Sequence, residues 1–160
     1  MVENIKLVFF SFLASLGFGI VFRIEKKNLI WAGVGGALTR CVYLYMIATT
    51  DQAFLQYLLS AMFAALFAEI MAMHQKMPST VFLYPAIIPL VPGGLLYSTV
   101  ANLVMKNMDE MTSYLWQLLI ALAGICIGFV VISTFTYYRR IYKVGQHIAR
   151  SLFHNSKKKK

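Results

Sequence analysis

Five apolar stretches, at 6–22, 29–49, 52–73, 80–105 and 111–137, occupy most of the chain and are separated by short polar links. A helix needs about 20 apolar residues to cross the hydrocarbon core, and tilt absorbs modest differences in length. Backbone amides in lipid must be paired internally, which leaves helices as the form open to such runs. The expected fold is therefore all-α: a polytopic integral membrane protein of five transmembrane helices over 1–137, with a basic cytoplasmic tail at 138–160. Composition agrees, since 13% of the 160 residues are charged against roughly 25% in a soluble domain. No room is left for a soluble catalytic domain.

The first stretch differs from a cleaved secretory signal. Glu3 stands beside Lys6, no Ala-x-Ala site follows, and the run passes directly into Arg23, Glu25, Lys26 and Lys27. It reads as a retained span.

The net charge of +9 would suggest nucleic acid in a soluble protein. Here Arg139, Arg140, Lys143, Arg150 and Lys157 to Lys160 cluster after the last span, and most of the other cations sit in the links. That distribution belongs to cytoplasmic loops, so no nucleic-acid partner is expected. With the N-terminus outside, Arg23, Lys26, Lys27, Lys76 and the tail fall inside, leaving Lys6 and Lys106 outside. The expected topology is a multi-pass plasma-membrane protein with its N-terminus out and C-terminus in.

Cys41 and Cys126 each lie in an apolar run with no ligand at metal spacing, so neither a disulfide framework nor a zinc site is indicated. His74, His147 and His154 also lack partners at such spacing and read as interface residues. No cofactor is implied. Small residues mark helix contacts: Ser11, Ser15 and Gly19 recur every four residues, and Gly124 and Gly128 form a small-xxx-small pair.

The fourth stretch holds all four prolines, at 78, 85, 89 and 92, the last followed by Gly93 and Gly94. Proline has no N–H to give and collides with the preceding turn, so the helix is expected to break near mid-membrane. Irregular backbone survives at that depth only inside protein or along a cavity, and discontinuous helices hold substrate in transporters. A restart at Gly93 would present free N–H groups and a positive dipole end to a carboxylate. A simple proline kink and a re-entrant loop are the alternatives; the loop would export the cationic tail.

Two ionisable residues lie within spans. Arg40 stands roughly twelve residues into the second, where a charge costs at least about 2.5 kcal/mol, and shares a helical face with Gly33 and Gly36. It reads as either a carboxylate-binding fork or a structural cation. Glu69 lies roughly one turn from the inner end of the third span and is a candidate proton carrier or a solvated end charge. The two are expected to stand roughly 10 Å apart along the membrane normal. Beyond Tyr137 the tail cations interleave with Ile141, Val144, Ile148 and Leu152 at helical spacing, the pattern of a basic amphipathic helix drawn to anionic lipid.

The segment from Glu69 to Tyr97, with Pro78-Ser79-Thr80-Val81-Phe82, Pro85-Ala86-Ile87-Ile88-Pro89-Leu90-Val91-Pro92-Gly93-Gly94 and Tyr97, resembles the signature of the threonine/serine exporter (ThrE) family. The whole chain is similar in architecture to that family's small, YjjB-like membrane subunit of the split two-component form. The resemblance implies export of threonine and serine, or of small dicarboxylates such as succinate, driven by the proton gradient. It also implies a separately encoded larger membrane subunit. The chain departs from the family pattern at Ala86, where glycine is common, and at Met73 and His74, where basic residues are common.

The leading reading is a non-enzymatic subunit of a secondary transporter, with Pro89, Pro92, Gly93, Gly94, Tyr97 and Arg40 as substrate site and Glu69 in proton coupling. Tyr84, Ser98 and Asn102 are further polar candidates. A non-transporting scaffold that stabilises a partner transporter is the alternative, and a homo-oligomer is a further option for assembly. An intramembrane enzyme would need a nucleophile with a positioned base, and no such arrangement is found.

Overall fold

A computed structural model describes the backbone of residues 2–158 and the side chains of 3–139. Its elements are α1 (Val2–Val21), α2 (Lys26–Thr49), α3 (Ala53–Gln75), α4 (Thr80–Ile87), a 3-10 turn at Ile88–Leu90, α5 (Gly93–Val104) and α6 (Met108–Lys158), with no strand among the described residues. Four helices are long and apolar enough to cross a membrane: α1, α2, α3 and α6 as far as Arg139. The α4 and α5 pair, bent by 53° at a short break, makes a fifth when taken as one span. The all-α reading with a broken fourth span is thus the fold observed. The backbone of α6 stays helical to Lys158, while the tail's basic and apolar side chains from Arg140 on lie outside the described residues.

Three turns are closed by cations in the left-handed region, Arg23 (φ 55°), Lys76 (φ 55°) and Lys106 (φ 59°). Each is followed by an amide that reaches back to a carbonyl of the helix: Ile24 to Gly19, Met77 to Ala72 and Asn107 to Asn102. Glycine is the usual residue there. A lysine or arginine gives up some backbone ease but sets its charge against the negative end of the helix dipole.

The interior is built from small side chains. Ala61, Ala64, Ala65, Ala68 and Ala72 of α3 are all buried, while Phe9, Phe10, Leu66 and Trp116 face outward. This is the arrangement expected where lipid replaces water and close packing holds helices together. Helix α3 packs on α2, α4 and α6, α1 packs chiefly on α2, and α5 leans away to pack on α6. The α3–α6 contact is set by the two glycines of α6. A Cβ at Gly124 would lie 2.9 Å from the Phe54 carbonyl oxygen, and one at Gly128 2.5 Å from that of Leu58.

On the other side of the bundle, Gly35 and Gly36 of α2 bring three helices together. A Cβ on Gly35 would meet Phe67 of α3 and Ala86 of α4; one on Gly36 would meet Ser15 of α1 and Pro89. These contacts fix the register of α2 against the broken span.

Candidate functional site

The prolines of the broken span remove backbone donors in sequence, and each loss has a traceable consequence. Residue 89 lacks the N–H that would pair with the Pro85 carbonyl in a continuous helix. That carbonyl instead accepts a hydrogen bond from the Ser15 hydroxyl of α1 at 2.8 Å, fully buried. Residue 92 likewise cannot serve the Ile88 carbonyl, which is taken by the Val91 amide at 3.2 Å as the chain tightens into its 3-10 turn. Val91, preceding a proline, leaves the helical region with ψ 121°. The chain then turns through Gly93 N to Val91 O at 2.8 Å and restarts as α5, with Leu96 N bonded to Pro92 O.

Ser15 thus does more than pack. It supplies the donor that the proline break leaves wanting, and Gly36 gives it room. The sequence marked Ser15 as a small contact residue; its acceptor is 70 residues away, so no local spacing could reveal the bond.

Arg40 lies one turn beyond Gly36, about 6 Å along α2. Because Gly35 neighbours Ala86 and Gly36 neighbours Pro89, that turn carries Arg40 to the level of the break. Its guanidinium sits 5.3 Å from the Tyr43 ring centroid, and Tyr43 in turn lies 5.0 Å from the ring of Tyr57 on α3. The aromatic face holds the cation without consuming its N–H groups. Arg40 is half-buried, and its Nε is fully buried with no hydrogen-bond partner. A buried donor on a charged group is costly to leave unmade.

The remaining residues of the break divide. Pro92 is buried and Pro89 half-buried, whereas Gly93, Gly94 and Tyr97 are exposed on the outer side of the chain, Tyr97 at 76%. A Cβ on Gly93 or Gly94 would meet nothing within 4 Å. Of the other polar candidates, Asn102 donates to the Ser98 carbonyl at 2.9 Å. Tyr84, immediately before Pro85, packs its ring against Phe22, 5.7 Å away.

Glu69 is half-buried on α3. Since Phe67 is level with Gly35 on antiparallel helices, Glu69 and Arg40 lie on opposite sides of that contact, roughly 10 Å apart along the axis. Glu69 borders a groove of about 460 Å³ between α3 and α6, with Leu66, Met73, Phe135 and Arg139 among its walls. It also borders a smaller cavity on its other side.

One residue escaped sequence reasoning altogether. Asn28, in the first turn of α2, is 0% exposed, and neither Oδ1 nor Nδ2 has a hydrogen-bond partner. Its signal was its place four, seven and eight residues before Ala32, Gly35 and Gly36, on the face that packs inward.

The model of a protein family described as Threonine/Serine exporter, ThrE, matches residues 7–135. The match takes in both glycine contacts, the proline break, Arg40 and Glu69. No curated protein and no solved structure matches the chain.

Proposed function

We propose a role that proceeds from one fact: this chain belongs to the threonine/serine exporter (ThrE) family. Within that family it is the membrane subunit of a secondary transporter, coupled to the proton gradient, in which Arg40 and the Pro89 to Gly94 break bind the carboxylate of a small exported acid. That acid is threonine, serine or a small dicarboxylate. The observation that carries this reading is the buried, unpartnered Nε of Arg40 at the level of the break. A guanidinium held by an aromatic face, with donors to spare, is suited to a carboxylate.

Two further features support it. Gly93 and Gly94 are not required by the chain's own packing, whereas a helix start that a ligand or partner approaches closely benefits from lacking Cβ atoms. The outward exposure of Gly93, Gly94 and Tyr97 also favours a cavity completed by a second, larger membrane subunit, since five spans do not divide into two equal repeats. The cations at the ends of α1 and α3 and along the tail orient the C-terminus to the cytoplasm, and Glu69 near that side carries the coupling proton. The same outward exposure would suit a scaffold that docks a partner transporter, but a scaffold gives no use to an unspent guanidinium.

The test is efflux of preloaded serine, threonine and succinate from cells holding this chain alone or with the co-encoded larger subunit, with and without an uncoupler. Efflux of at least one of them by the pair, abolished by the uncoupler, is expected. No efflux of any substrate in either case would replace this reading by the scaffold.

A further inference from the structure

We infer that the inner end of α2 is a gate, closed in this structure over Asn28, and that Asn28 lines the mouth through which the exported acid enters once the gate opens. That use of the mouth rests on the export reading above. Asn28 is 0% exposed, and both ends of its carboxamide lack a hydrogen-bond partner. A buried amide that bonds to nothing stands well above its free energy in water. The closed state therefore carries a strain that opening releases, and a group left in that condition calls for a use outside the closed state.

The surroundings allow that end to move. Asn28 stands in the first turn of α2, beside the cations Arg23, Lys26 and Lys27. Gly35 of the same helix meets Ala86 of α4, and α2 and α4 run in the same direction, so seven residues back Asn28 is level with the start of α4. Packing is loose at that level: Phe22 and Ile24 of the α1–α2 link and Thr80, Val81 and Tyr84 of α4 line a cavity of about 210 Å³. Further along α2, Gly36 lies against Ser15, whose hydroxyl is tied to the Pro85 carbonyl. The link can draw away from α4 while that tie holds.

A bound water is the ordinary remedy for such an amide, and it needs about two to four polar partners. Among the described residues, the other buried side-chain atom without a partner is Arg40 Nε. It lies roughly 18 Å along the helix, so no second unmet side chain stands beside Asn28 to share a water. The two belong to one row, Asn28, Ala32, Gly36 and Arg40, spaced every four residues. The members between them carry a methyl group and a hydrogen, so the row stays low and leads from the mouth toward the guanidinium. A neutral carboxamide offers donor and acceptor together. It meets both the ammonium and the carboxylate of a zwitterion without trapping either as a full charge would.

The experiment uses sealed inverted vesicles holding the full chain with the proposed larger subunit, Cys41 and Cys126 replaced by alanine, and Asn28→Cys as reporter. A small membrane-impermeant methanethiosulfonate added at the cytoplasmic face is expected to modify the new thiol roughly tenfold or more faster than that of Ala64→Cys, which is equally buried but outside the row. Asn28→Leu removes the unmet groups at similar volume. It is expected to hold or raise the melting temperature and to raise the serine concentration that half-saturates efflux roughly fivefold or more, because relief of the closed state leaves less of the open one. A thiol at 28 modified no faster than the one at 64, with efflux intact, overturns the gate and leaves the export reading standing. Unchanged half-saturation in folded Asn28→Leu does the same, and the thiol measurement decides the matter where that variant does not fold. A modified thiol with no efflux of any substrate by the wild-type pair overturns the export reading, and the entry role of Asn28 with it.

Discussion

Gly36→Val is expected to leave little folded protein in the membrane. A Cβ at this position falls on the Ser15 hydroxyl, within 2.6 Å of Ser15 Cβ and 3.3 Å of Pro89 Cγ. To make room, Ser15 must release the Pro85 carbonyl, which residue 89 cannot serve. An unsatisfied buried carbonyl costs about 1–3 kcal/mol, and forcing extra methyls into a packed contact costs a further 1–3 kcal/mol or so. Together these reach about 2–6 kcal/mol, a large fraction of the roughly 5–15 kcal/mol that holds a typical domain folded. The check is the amount and melting temperature of the variant in detergent. Pairing Gly36→Ala with Ser15→Gly separates the two terms: it relieves the clash but leaves the carbonyl orphaned, so stability should return only in part. Full recovery would mean that the hydrogen bond contributes little.

Gly128→Leu should be as damaging at the opposite face of the bundle. Here the obstacle is backbone, the Leu58 carbonyl at 2.5 Å, with Ala61 Cβ at 3.0 Å. A flexible side chain can yield to a new neighbour, whereas a helix backbone moves only as a unit, so α3 and α6 must part along their shared length. Small residues at this contact are what allow the helices to approach. Gly17→Ala is the control, because its Cβ would meet nothing within 4 Å; helix propensity alone predicts a gain of up to about 1 kcal/mol there. Equal melting temperatures for Gly128→Leu and the wild type would remove the α3–α6 contact from the account of stability.

The features legible in the sequence were those with a local cause. Span lengths follow from apolar runs, the break from three prolines within eight residues, and the close contacts from glycines one turn apart. The roughly 10 Å offset of Arg40 from Glu69 followed from rise per residue alone. What was not legible depends on partners far along the chain. Ser15 on α1 finds its acceptor on α4, and Ser79, Thr80 and Ser133 come to line one cavity with Glu69 only once α3, α4 and α6 assemble. The outward aspect of Gly93, Gly94 and Tyr97 depends on how α5 is tilted at its 53° bend. Periodicity cannot fix that angle, because the residues that set it belong to other helices.

Serine efflux by Arg40→Gln, at membrane levels matched to the wild type and with the proposed larger subunit present, reads out whether Arg40 and the break bind the substrate. Removing a charge whose Nε is buried without a partner should leave stability unchanged or raise it, while the loss of charged hydrogen bonds to substrate lowers export roughly 10- to 100-fold. Arg40→Lys should not restore it, since lysine lacks the planar fork. A melting temperature held or raised together with collapsed efflux is the predicted result. Efflux at the wild-type rate would contradict the assignment of Arg40 and the break as the substrate site.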